Sequence, residues 1–177
     1  ITLVIAILMI IYAGLMLGNI YAKYKVDKEQ SLDSLVSAIR LDRFEWADYM
    51  VSYVYSTIGI DETQTEIKQQ ADAYAKRLEK LDSNTVPIVL AEYYFSNGNI
   101  KDGFAMIEKY LTYGASDQAK WEQAFTLMVN YYVGEDEYIS GMKNIYNMLQ
   151  EWNSENMGQI VLSDMINTFI EMMGINK

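Results

Sequence analysis

The chain has 177 residues, 51% of them hydrophobic, and its 24 acidic and 14 basic side chains give a formal net charge of -10. It contains neither cysteine nor histidine, so these residues cannot supply disulfides, thiol nucleophiles, ordinary zinc sites or Ser-His-Asp triads. The negative charge gathers after Ser83, where 12 carboxylates stand against five lysines, and that balance repels phosphate backbones and argues against nucleic-acid binding.

Residues 1–22 carry no charged side chain. As a helix they would reach roughly 33 Å, enough to cross a bilayer core, so residues 1–24 are expected to form a transmembrane helix. A secretory signal peptide would show a shorter apolar core, a basic stretch before it and a small-residue cleavage site after it; none of these marks is present. Tyr21 and Tyr24 suit the membrane interface, while Tyr12 would lie at mid-depth and need a helix partner. Lys23, Lys25 and Lys28 follow directly, which by the positive-inside tendency puts the soluble domain on the cytoplasmic side of a cell membrane. The chain opens on Ile1 rather than Met, the expected mark of a piece of a longer polypeptide. Residues 25–177 are long enough for one domain with a sizeable core.

A single proline and apolar residues at three- and four-residue spacing predict an all-α domain of six to eight helices in antiparallel pairs. A helix over residues 30–41 would carry the stripe Leu32, Leu35, Val36, Ile39, and one over 44–58 would stop at Gly59. The charged segment 61–81 sets Ile67, Ala71, Tyr74, Ala75, Leu78 and Leu81 on one side, with Asp61 as N-cap. Pro87 fits the first turn of a helix ending at Asn97-Gly98-Asn99. Helices are then predicted over 100–113, 118–133, 137–152 and 156–173. Gly114 and Gly134 separate the first three, and Gly158 falls inside the last.

Helix pairs in series suggest an α-solenoid. Leu90-Ala91, Tyr94, Gly98, Gly103 and Ile107 have the spacing of a tetratricopeptide repeat, in which small residues let two helix backbones approach. Ser31, Leu35 and Ala38 with Leu41-Asp42 match the second half of another unit, with Arg43 where proline is usual. Tyr131 and the turn from Gly134 to Glu137 echo Tyr94 and Gly98 about 37 residues later, the 34-residue period with a small insertion. The expected fold is therefore a tetratricopeptide-like α-solenoid preceded by one transmembrane helix. Read together, AIRLDRFEW (residues 38–46), YYFSNGNIKDGFAMIEKYL (93–111) and Lys120-Trp121-Glu122-Gln123 resemble the C-terminal tail of bacterial O-antigen ligase/polymerase-type membrane proteins. Those are multi-spanning transferases acting on polyprenyl-diphosphate-linked glycans, with their chemistry in membrane helices and a large external loop. The resemblance implies a regulatory or scaffolding tail without catalytic residues or cofactor, docking a protein partner of the envelope-glycan machinery. The alternative is an intact glycan-transferring enzyme whose catalytic residues lie upstream.

Among individual residues, Glu135-Asp136-Glu137 lacks the ligand spacing of a calcium loop and reads as a solvated turn that starts a helix. Tyr93-Tyr94-Phe95 and Tyr131-Tyr132 put aromatics on helical directions about 100° apart, so that one of each set can pack inward while another faces a groove. The exposed members of Tyr93, Tyr94, Phe95, Tyr131 and Tyr132 are the candidate partner-binding residues. Trp46, Trp121 and Trp152 read as packing wedges, and Met165, Met172 and Met173 as a helix capping the solenoid.

Overall fold

The computed structural model describes residues 2–29, 65–80, 84 and 86–174. The helices expected over 30–41 and 44–58, the repeat residues from Ser31 to Arg43, Trp46 and the Asp61 cap lie outside them. The described residues form seven helices and no strand: α1 (Thr2–Glu29), α2 (Thr65–Leu78), α3 (Val86–Ser96), α4 (Ile100–Thr112), α5 (Gln118–Asn130), α6 (Asp136–Glu155) and α7 (Asp164–Met172). The chain divides into two compact units, Ile1–Asp82 and Ser83–Lys177.

In the first unit, α1 contains an apolar stretch of 19 residues, Leu3–Tyr21, long and apolar enough to cross a membrane, as a signal sequence near an N-terminus also is. Leu3, Val4, Ile5, Ile7, Leu8, Met9, Ile10 and Ile11 are all exposed. Successive exposed apolar residues point in every direction round the axis, and a helix that is apolar all round is stable only within a core or a bilayer. In α2, Ala71, Ala75 and Leu78 recur at four- and three-residue spacing and are buried. Lys76 and Arg77 occupy its last turn, against the negative end of the helix dipole.

The second unit is built on a close α3/α4 pair; α4 also packs on α6 and α5, and α7 packs on α5. Pro87 stands in the first turn of α3, where its missing N–H leaves no gap. The helix ends in a two-bond cap: the Asn99 N–H donates to the Tyr94 carbonyl at 2.8 Å and the Gly98 N–H to the Phe95 carbonyl at 3.0 Å. This geometry needs the left-handed φ of +70° that Gly98 adopts. Asn99 at once caps α4, accepting from the Asp102 N–H. Along α4 the buried residues Ile100, Gly103, Phe104, Ile107, Tyr110 and Leu111 form one stripe. Gly103 is the close approach: a Cβ there would stand 2.5 Å from the Phe95 ring.

The pairing of α5 with α6 is different. They are not among the closely packed helix pairs; α5 meets the core through Trp121, Ala124, Phe125, Leu127 and Met128, and α6 through Tyr138, Gly141, Met142, Ile145 and Leu149. The one small residue of that α6 face, Gly141, receives the Phe104 ring of α4 instead. An aromatic network ties the unit together: Phe95 and Phe104 at 5.1 Å, Phe104 and Tyr138 at 5.0 Å, Tyr132 and Phe169 at 5.8 Å between ring centres. At its centre the Tyr138 hydroxyl donates to the Met128 carbonyl.

Several helix boundaries depart from expectation: α2 ends at Leu78 rather than 81, and α6 runs on to Glu155 rather than 152. Helix α5 ends at Asn130 rather than 133, its last turn tightened as the Tyr131 N–H reaches both Leu127 and Met128 carbonyls. Helix α7 begins at Asp164 rather than 156, because Met157 and Gly158 take left-handed φ values of 59° and 69°. The loop that follows is held by side-chain amides. Asn153 brackets Ile160, accepting from its N–H at 3.1 Å and donating to its carbonyl at 3.2 Å. Gln118 brackets Val161 in the same way.

Candidate functional site

Of the five candidate aromatics, three are turned away from solvent: Tyr93 is 1% exposed, Tyr94 3% and Phe95 6%. Phe95 stacks on Tyr131 at 6.0 Å, and Tyr131 is half-buried. Tyr132 is 42% exposed, yet its ring lies edge-on to both Tyr138 and Phe169. The structure thus brings Phe95, Tyr131 and Tyr132 into one network that holds helices together, and Tyr132 alone of the five offers substantial surface. Trp121 is fully buried, its indole N–H donating to the Ala115 carbonyl at 3.0 Å. Glu135, Asp136 and Glu137 are exposed at the start of α6, where two of them favour the positive end of the helix dipole. Among the described residues no group of three or more carboxylates is gathered as a metal site would require.

A concave surface does form between α3 and α5. Ile88, Val89 and Glu92 of α3 face Gln123, Thr126, Leu127 and Asn130 of α5 across a groove of about 270 Å³. On α5 these positions follow one helical face, three, four and seven residues from the first. The floor is apolar and the walls carry two side-chain amides, a hydroxyl and a carboxylate. Burial pushes the Glu92 carboxyl above its ordinary range, and the side chain makes no ion pair or hydrogen bond among the described residues. Gln123 is fixed by the Tyr110 hydroxyl, which donates to its Oε1 at 2.6 Å. Burial, reinforced by the nearby Asp117 carboxylate, holds that phenol protonated above its usual range, and the Lys120 ammonium lies 4.8 Å over its ring.

Such a groove can accept an extended chain: amides pair with backbone groups, aliphatic residues shelter a side chain, and an unpaired, partly dehydrated carboxylate rewards a cation. Nothing in it forms a nucleophile–base pair. The aromatic-rich stretches drew attention away from Glu92, Gln123, Thr126 and Asn130. Their signal was a polar face at helical spacing on α5, legible only once α3 is known to stand opposite. Compared with protein-family models, curated proteins and solved structures, the chain matches none.

Proposed function

We propose that the chain is a helical interaction module held at a membrane by α1, binding an extended segment of a protein partner in the groove between α3 and α5. The observation that carries this reading is Glu92: a partly buried carboxylate without a partner among the described residues, beside two side-chain amides in an open groove, is an energetic cost to the free domain that a cationic residue of a partner offsets. Tetratricopeptide-like stacking of helix pairs, and a place as the regulatory or scaffolding tail of an envelope polysaccharide polymerase or ligase with the domain on the cytoplasmic side, is the setting we propose for it. The close α3/α4 pair around Gly103 and the sequence resemblance support that setting. In this reading the residues described here position a partner and carry no chemistry of their own.

The test is site-specific photo-crosslinking of the full chain in membranes of cells that produce it, with the reactive side chain at Thr126 on the groove wall or at Met172 on the exposed face of α7. A discrete protein adduct at Thr126 and none at Met172 is expected. Equal labelling at both positions, or adducts to lipid alone, would refute the reading.

A further inference from the structure

A second surface shares no residue with the first and is built differently. The C-terminal half of α6 places Met148, Glu151, Trp152 and Glu155 on one stripe, at three-, four- and seven-residue spacing. They face the turn between α4 and α5 across an apolar groove of about 250 Å³ whose floor includes Leu111 and Trp121. That is smaller than the roughly 300–1,000 Å³ of small-molecule sites and suits one large side chain. Met148 and Trp152 are half-buried at its edge. Unlike Trp121, Trp152 leaves its indole N–H without a hydrogen bond among the described residues.

Electrostatics single out what belongs there. Glu151 and Glu155 are exposed, make no ion pair among the described residues, and stand at the C-terminal end of α6, whose last turn has no basic residue. Carboxylates at the negative end of a helix dipole are on the wrong side of it, and a local rule broken without internal compensation marks a functional surface. From Ser83 onward the chain has 12 acidic residues, five lysines and no arginine, so a second copy of this unit or an anionic lipid surface would be repelled.

We infer that this groove is a docking site for a basic peptide segment of a partner protein, one that inserts a single aliphatic or aromatic anchor between Met148 and Trp152 and sets Lys or Arg side chains one turn away against Glu151 and Glu155. Methionine repacks around anchors of different shape, and tryptophan with a free N–H supplies contact area and a donor at once, the profile of a binding hot spot. This surface stands whether or not the α3–α5 groove binds, since the two share no residue.

The experiment uses the full chain in phosphatidylcholine nanodiscs with 13C-methyl methionine. The probe is a 14-residue peptide carrying one leucine flanked by lysines at four-residue spacing, and its control is the same peptide with glutamate for lysine. The lysine peptide should shift the Met148 methyl signal, assigned with Met148→Leu, and leave those of Met157 and Met172 in place. Glu151→Gln/Glu155→Gln, on exposed positions, should weaken that binding about five- to tenfold, as two exposed ion pairs warrant, and Trp152→Phe should weaken it as well. An unmoved Met148 signal, equal binding of the glutamate peptide, or undiminished affinity in the double variant would overturn the assignment. None of these outcomes bears on crosslinking at Thr126.

Discussion

Replacing Gly141 by alanine should destabilise the second unit, although alanine is the better helix former. Propensity alone favours the change by about 0.5–1 kcal/mol. Against it, the new Cβ would stand 2.3 Å from Phe104 Cδ2 and 2.4 Å from Cγ, so the ring must retreat by about 1.2 Å to reach an ordinary carbon contact of roughly 3.5 Å. The ring has little room to do so. Phe104 is 4% exposed and wedged edge-on between Phe95 and Tyr138, with ring centres 5.1 and 5.0 Å away. Disturbing two aromatic pairs costs about 0.5–1.5 kcal/mol each, and overpacking of a filled core costs about 1–3 kcal/mol in all. The net loss should be about 1–2 kcal/mol, or about 5–15 °C in melting temperature for a cooperative unit of this size. Thermal and urea unfolding of the full chain in detergent, followed by circular dichroism at 222 nm, reads it directly. Phe104→Leu in the same chain should recover part of the loss, with a coupling energy above about 0.5 kcal/mol. A Gly141→Ala variant that melts higher than the parent would refute the claim that this glycine seats Phe104.

Tyr138→Phe, which removes the hydroxyl donated to the Met128 carbonyl, should cost about 1–2 kcal/mol in denaturant unfolding. Burial, with a smaller contribution from Tyr132, also keeps the Tyr138 phenol protonated far above its usual range. The unfolded chain therefore ionises first, stability falls as pH rises past about 10, and the Phe variant should flatten that alkaline limb. Glu92→Gln should act in the opposite sense. Because burial raises the folded-state value, the carboxylate destabilises the fold increasingly as pH climbs from about 4.3, the unfolded value, and fully above the folded one. Unfolding curves should show the Gln variant more stable at pH 7 and equal to the parent below about pH 4. Asn153→Ala should release the loop before α7, costing about 1–2 kcal/mol for two hydrogen bonds to Ile160, and hydrogen exchange at the Ile160 amide should accelerate.

What could be read in the sequence was local. The cap at Asn97-Gly98-Asn99 follows from glycine's access to left-handed φ, and the α4 stripe from its period, so both ends of the α3/α4 turn and the approach at Gly103 were foreseeable. The start of α7 was not, because it depends on Gln118, 43 residues away, gripping Val161, and on a non-glycine residue, Met157, adopting positive φ. That Tyr93 and Phe95 are buried along with Tyr94, the repeat position expected to lie inward, was equally hidden. Helix α3 is apolar round most of its circumference, so no period distinguishes an inner from an outer face. The α3–α5 groove needs the tertiary pairing of two helices, and only its α5 half has a pattern of its own.

The most direct measurement of the central claim, that the α3–α5 groove receives a partner through Glu92, repeats the Thr126 crosslinking with Glu92 reversed to lysine. The partly buried carboxylate has no ion-pair or hydrogen-bond partner among the described residues, so Glu92→Lys should leave the circular dichroism spectrum unchanged while abolishing the Thr126 adduct. An adduct of undiminished yield in that variant would contradict the account.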